Sequence, residues 1–406
     1  MNMAEIQKQF EDHVIANYTR IPVCVVRGEG SRVWDADGRS YLDLFPGWGV
    51  AGLGHCHPKV TEAICRQARK LIHVANNYYN EEQGEFAELL STLSGGFKVF
   101  FCNSGAEANE GAIKLARLAT QPKTRIISME NSFHGRTFGA ISATGQPEYR
   151  KGFEPTVPDI VHARFNDLAS VAELMADGAA AVIVEPVQGE GGVVSSTPEF
   201  LTGLRRLCDE KGALLIFDEV QTAPARLGTW FGFQHFGVTP DIITTAKAIA
   251  GGMPMGALLA RPAVSEALRP GTHASTFGGH SLGCAAGIAG IKAMQEEDIL
   301  GNVARMGKEI DGKLATISRL PGVKATRRVG FMVGIELDYP GAGVVSDCRN
   351  HGLLINCTHQ TVLRLLPAMN IGAAELDEGL FILSEALTRA ARRSGSIRIL
   401  PTEAKR

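Results

Sequence analysis

Six short apolar runs limit what this chain can fold into more than any other feature. They are Lys98 to Cys102, Lys123 to Met129, Ala180 to Glu185, Ala213 to Asp218, Asp241 to Thr244 and Gly256 to Ala260, all rich in Ile, Val, Leu and Phe. None alternates apolar with polar residues, so none suits a strand with one face in water. Continuous apolar runs bounded by turns suit strands covered on both faces. Helical patterns such as Pro198 to Lys211 separate several of them. Strands alternating with helices predict an α/β fold with a mostly parallel sheet over roughly residues 58–300.

The flanks read differently. The opening residues predict a helix and then short strands around Val33 to Leu44, turning at Asp37-Gly38. Helices follow at Lys59 to Ile72 and Glu82 to Leu93. After residue 300 come a long helix ending near Ile317, short strands (Val323 to Arg327, Phe331 to Leu337, Leu353 to Cys357, Val362 to Leu366) and a closing helix. This pattern predicts a large α/β domain over 58–300 and a smaller α+β domain over 301–406, with an N-terminal segment, 1–57, packed against the latter.

Composition excludes some functions. With 406 residues and 45% hydrophobic content the chain can bury a large core. A formal charge of -2 provides no basic field for nucleic acid or an anionic membrane. The eight cysteines are scattered with no C-x-x-C pair, as suits free thiols in a reducing cytosol. The polar start does not read as a signal peptide, and no apolar run is long enough to span a bilayer. The expected location is therefore the cytoplasm.

In an open α/β sheet, ligands bind beyond the carboxyl ends of the strands, so the polar residues after the apolar runs are the candidates. Asn103-Ser104-Gly105-Ala106-Glu107 links a strand to a helix. Free N–H groups and the dipole there suit an anion, although Ser104 could simply be a helix cap. Asp218 closes a buried strand and needs a positive partner; a helix cap or a structural ion pair would also satisfy it. Lys247 sits among small apolar residues, where desolvation would lower its pKa and favour nucleophilic chemistry, or it could reach along the surface to water. Together, and in this order on successive strand ends, an anion nest, a buried acid and an enclosed lysine are what pyridoxal 5'-phosphate (PLP) requires.

The motifs now on the page resemble those of the class III aminotransferases of PLP fold type I, with acetylornithine aminotransferases the nearest branch. The likeness runs from Asn17-Tyr18-Thr19-Arg20-Ile21-Pro22 to Arg364-Leu365-Leu366-Pro367. It includes Phe133-His134-Gly135-Arg136-Thr137, Glu185 to Gly192, Phe217-Asp218-Glu219-Val220-Gln221 and Ser275-Thr276-Phe277-Gly278-Gly279. The resemblance implies that Lys247 carries PLP as a Schiff base and shuttles the proton, and that Asp218 pairs with the pyridinium nitrogen. It places Gln221 near the phenolic oxygen, Ser104, Gly105 and Ala106 at the phosphate, and Phe133 against the ring. Thr276 would reach the phosphate of a neighbouring subunit, so a homodimer with composite sites is implied. Arg364 would bind the α-carboxylate of glutamate or 2-oxoglutarate, with Glu190 pairing to it when an ω-amine occupies the site. Arg136, with Ser275, would hold the far carboxylate of N2-acetylornithine, and Tyr18 would help line the same end; an ordinary ion pair near the cleft is the plainer alternative for Arg136 and Glu190. The implied reaction moves the terminal amino group of acetylornithine to 2-oxoglutarate, in arginine biosynthesis.

The likeness has departures. Ala223-Pro224-Ala225-Arg226 replaces Gly-Met-Gly-Arg, and Gly278-Gly279-His280-Ser281 replaces Gly-Gly-Asn-Pro. Trp48 stands where ornithine aminotransferases carry a Tyr, and it should reshape the substrate mouth. Succinylornithine, succinyldiaminopimelate, ornithine or 4-aminobutyrate remain as other donors, and a lyase or aminomutase of the same fold as a further alternative. His55-Cys56-His57 provides too few ligands for a metal site, and none is expected.

Overall fold

The computed structural model describes residues 3–393. The centre is a seven-stranded sheet whose strands lie side by side in the order Lys98–Cys102, Gly256–Ala260, Ile242–Thr245, Leu214–Asp218, Ala181–Val184, Ile126–Met129, Ile160–Ala163. All neighbours pair in parallel except Gly256–Ala260, which is antiparallel to both strands beside it. Ala181–Val184 and Ile242–Thr245 are buried at every position, as continuous apolar runs covered on both faces should be. Helices Gly105–Ala119, Pro198–Lys211 and Ser281–Glu296 contribute to that cover.

The outer strand Ile160–Ala163 was not among the predicted runs. It is short, borders the sheet on one side only and is three-quarters part-exposed, and His162 interrupts its apolar character. Two four-stranded sheets flank the centre, besides a two-stranded ribbon of Val187–Gln188 with Val194–Ser195. One comprises Val25–Glu29, Arg32–Asp35 and Ser40–Asp43, joined by a parallel strand, Leu353–Leu354. The other is antiparallel, in the order Val323–Val329, Met332–Leu337, Val362–Leu365, Asn356–Thr358. The expected single strand Leu353 to Cys357 is therefore two. Its first two residues pair with the N-terminal strands, and after Ile355 the chain enters the other sheet. The closing helix is Ala373–Arg393. Residues 394–406 of the expected C-terminal unit lie outside the described residues. Among the described residues no helix is long and apolar enough to cross a membrane.

Candidate active site

The carboxyl ends of four central strands converge on one floor. After Lys98–Cys102 the chain turns into helix Gly105–Ala119. Ser104 Oγ accepts the Glu107 N–H at 3.2 Å, and Glu107 Oε2 accepts the Asn103 N–H at 2.9 Å. Ser104 is thus a cap, and the N–H groups of Gly105 and Ala106 are left without an acceptor among the described residues, as at any open helix start. Close packing sets this turn. A Cβ on Gly105 would lie 2.8 Å from Val220 Cγ1, and one on Gly135 would lie 2.6 Å from Ala106 Cβ. Only glycine lets the Phe133–Arg136 loop and the strand end at Asp218 approach the helix start so closely.

Asp218 ends its strand almost fully buried. Its Oδ2 accepts from Asn109 Nδ2 at 2.8 Å and faces His134 Nδ1 at 2.6 Å, and its Oδ1 accepts the Val220 N–H at 3.0 Å. His134 Nε2 lies 3.2 Å from Ser128 Oγ. Asn109 also donates to the His134 carbonyl at 2.8 Å and accepts from Thr244 Oγ1 at 2.7 Å. His134 lies inside a motif already quoted and Asn109 two residues beyond one, but no role was expected of them. Their contacts arise only when distant segments meet.

Lys247 follows strand Ile242–Thr245 with φ +48°, a left-handed conformation that a non-glycine residue holds only where its surroundings enforce it. It keeps some accessible surface although protein surrounds it. Burial holds its pKa below the ordinary lysine value, while the charge of nearby Glu190 opposes the shift. No hydrogen bond or ion pair engages its Nζ among the described residues, so the amine is available. Glu185, at the end of Ala181–Val184, accepts the Phe133 N–H at 3.1 Å. Burial, reinforced by the charge of Asp218, pushes its carboxyl well above the usual range.

Above this floor stands Arg364, with essentially no exposed surface. Its Nη1 lies 2.7 Å from Glu190 Oε1, and its Nε and Nη2 donate to Asn356 Oδ1 at 3.3 and 3.0 Å. The Nη1–Glu190 contact is a charge pair without hydrogen-bond alignment, so Nη1 is buried with no hydrogen bond among the described residues. The Phe45 ring covers the guanidinium at 4.9 Å, and Trp48 meets Phe45 edge-on at 5.9 Å. Phe45, Trp48 and Asn356 border a cavity of about 250 Å³. Trp48 is half-exposed, with φ +57°.

The remaining candidates lie further out. Phe133 meets Tyr149 edge-on at 5.7 Å. Arg136 is exposed, stacks over Tyr149 at 4.0 Å, and has no ion pair among the described residues; Glu190 pairs with Arg364 instead. Ser275 Oγ accepts from Asn103 Nδ2 at 3.1 Å, whereas Thr276 and Tyr18 are exposed. No hydrogen bond joins Ser275 to Arg136 among the described residues. His55 and His57 engage separate acids, Asp43 at 3.0 Å and Glu297 at 2.9 Å.

The floor fits PLP in its donor set. It has an available amine of lowered pKa, a carboxylate with a free lone pair, and an open N–H pair. Gln221 Oε1 is buried without a hydrogen-bond partner among the described residues, and a Cβ on Gly189 would fill the space beside it, 1.9 Å away.

Residues 14–387 match the family described as aminotransferase class-III. The chain is 46% identical over 385 residues to the acetylornithine aminotransferase of Methanothermobacter thermautotrophicus, covering 95% of this chain and 98% of that one. Among solved structures, it is similar to the ornithine aminotransferase of Toxoplasma gondii, described with partial occupancy of PLP at its active site (TM-score 0.93, 30% identity, 98% and 96% of the two chains). It is also similar to the acetylornithine aminotransferase of Elizabethkingia anophelis (TM-score 0.85, 30% identity, 96% and 100%). Matched along nearly its whole length in sequence and in fold, the chain belongs to the class-III aminotransferases.

Proposed function

We propose that this chain transfers the terminal amino group of N2-acetyl-L-ornithine to 2-oxoglutarate, giving N-acetyl-L-glutamate 5-semialdehyde and L-glutamate, a step of arginine biosynthesis. The observation that carries the two-substrate cycle is the buried Arg364 paired with Glu190 above an available Lys247. The choice of acetylornithine is supported by relatives that match the chain end to end.

The residues divide the work. Gly105 and Ala106, with Ser104 beside them, would hold the cofactor phosphate through N–H groups and the helix dipole. Asp218, steadied by Asn109 and His134, would keep the ring nitrogen protonated. Gln221 would face the ring's phenolic oxygen, and Phe133 its plane. PLP, when bound, supplies an electron sink for the carbon that bears the amino group. Lys247 Nζ would anchor the cofactor's aldehyde, and once displaced would be the base that takes the proton from the substrate carbon; burial, which disfavours its charged form, assists that task. Glu190 neutralises Arg364 while an ω-amine, which brings no carboxylate there, occupies the site. With 2-oxoglutarate, Arg364 instead binds the α-carboxylate through its planar fork.

Arg136, a cation near Phe133 with no ion pair among the described residues, is suited to the far carboxylate of acetylornithine. Ser275, Tyr18 and Trp48 would line the same mouth, and Thr276 would complete the phosphate site of a second copy. We take the enzyme as a homodimer on that basis, and its eight free cysteines suit the reducing cytoplasm.

The test is the visible absorbance of PLP-loaded protein, recorded before and after N-acetylornithine is added without a keto acid. Loss of the band, and its return with 2-oxoglutarate, are the expected results. A band unmoved by acetylornithine but bleached by glutamate would refute the donor assignment, and failure to take up PLP would refute the whole reading.

A further inference from the structure

We infer that Asn356 is a positioning residue for the substrate-carboxylate switch, and that it confines the exchange of partners to one edge of Arg364. This rests on the reading of Glu190 and Arg364 given above. Asn356 and Arg364 are register partners in the antiparallel strands Asn356–Thr358 and Val362–Leu365. Directly opposed residues project to the same face, and Asn356 Oδ1 accepts from both Nε and Nη2 of the guanidinium. That edge of the fork is therefore occupied whether or not a substrate is present. The free edge is the one formed by Nη1 and the second N–H of Nη2, and Glu190 already stands 2.7 Å from Nη1. An incoming carboxylate cannot share Arg364 from the other side; it must displace the Glu190 side chain.

The backbone around Glu190 is pinned. Thr358 Oγ1 donates to the Glu190 carbonyl at 2.7 Å, and Arg327 Nε donates to the Gly192 carbonyl at 2.9 Å. Thr358 is two residues from Asn356 on the same strand and so shares its face. One three-residue strand thus holds Arg364 through a side chain and Glu190 through its backbone, and the motion left to the switch is rotation of the Glu190 side chain. The neutrality of Asn356 matters here. Its amide orients the guanidinium without competing as an anion for it.

The test measures the Kd of 2-oxoglutarate for PLP-loaded protein by calorimetry, with no amino donor present so that turnover cannot occur. Asn356→Asp is nearly isosteric and keeps the acceptor but adds a permanent negative charge. It is expected to weaken 2-oxoglutarate binding about tenfold, with the melting temperature checking the fold. Glu190→Gln removes the competing anion and is expected to tighten binding. Opposite signs at one guanidinium do not arise from general loosening. Wild-type affinity in Asn356→Asp, with tightening in Glu190→Gln, would overturn the role of Asn356 and leave the switch standing. Unchanged affinity in Glu190→Gln would remove the switch and this inference with it. If Asn356→Asp melts early, Asn356→Ser replaces it. Loss of the anchoring carbonyl is expected to weaken binding several-fold, and unchanged affinity again overturns the inference.

Discussion

Gly105→Ala tests the phosphate cradle through its packing. The added methyl would lie 2.8 and 2.9 Å from the two γ-carbons of Val220. Ordinary carbon contacts are about 3.5 Å or more, so something must yield by about 0.7 Å. Val220 is β-branched and stiff about χ1, and it follows Asp218 and Glu219 at a buried strand end. The helix start therefore moves away, taking the Gly105 and Ala106 N–H groups with it. Overpacking of this kind costs about 1–3 kcal/mol. At about 1.4 kcal/mol per tenfold, PLP should bind roughly 5- to 150-fold more weakly. The assay is absorbance titration of cofactor-free protein with PLP. Val220→Ala removes both offending methyls, so the double variant should return to within about threefold of Val220→Ala alone, a coupling that a double-mutant cycle isolates. Wild-type PLP affinity in Gly105→Ala would refute the assignment of those N–H groups. A double variant as weak as Gly105→Ala would refute the packing argument.

Two further outcomes are expected. Arg364→Ala leaves Glu190 and Asn356 without their cation, and it should lower kcat/KM for 2-oxoglutarate by roughly 100-fold, about 3 kcal/mol. The acetylornithine half-reaction, followed by single-turnover absorbance, should fall much less, and equal losses would count against the switch. His162 is held neutral: burial and then the charge of Arg150 lower its pKa from 6.5 to about 4, with Arg150 Nη1 2.8 Å from Nε2. A lowered folded-state pKa gives stability that is present above about pH 6.5 and is lost as the pH falls through the folded value near 4. His162→Gln should flatten the fall in melting temperature across that window, where the wild type loses up to about 3 kcal/mol from this group; parallel pH curves would refute the assignment.

What the bare sequence revealed follows from how local each signal is. Gly256–Ala260 is bounded as its apolar run is, because burial on both faces writes itself into consecutive residues. Ile160–Ala163 does not, since it has only four residues, one of them His162, and three of the four are part-exposed. The break at Ile355 was invisible because strand pairing, not composition, decides which sheet a residue joins. The same contrast holds in the site. Asp218 and Lys247 stand out as polar residues closing apolar runs. Asn109 and His134 meet Asp218 across 109 and 84 residues of chain, so their parts are written in contacts rather than in spacing. Asn356 faces Arg364 only because a hairpin places it there.

The Asn109 amide has a consequence for how such an enzyme can diversify. One side chain ties the helix after the first strand to Asp218, to Thr244 on the adjoining strand and to the His134 carbonyl. The base of the cleft is therefore a shared joint. A change that retunes Asp218 disturbs three segments at once, which puts substitutions there under heavy simultaneous constraint. The outer rim at Trp48 carries no such joint among the described residues, and half-exposed Trp48 can be exchanged with little effect on the base. New amine donors should therefore be reached in a lineage by variation at the rim while the base stays constant.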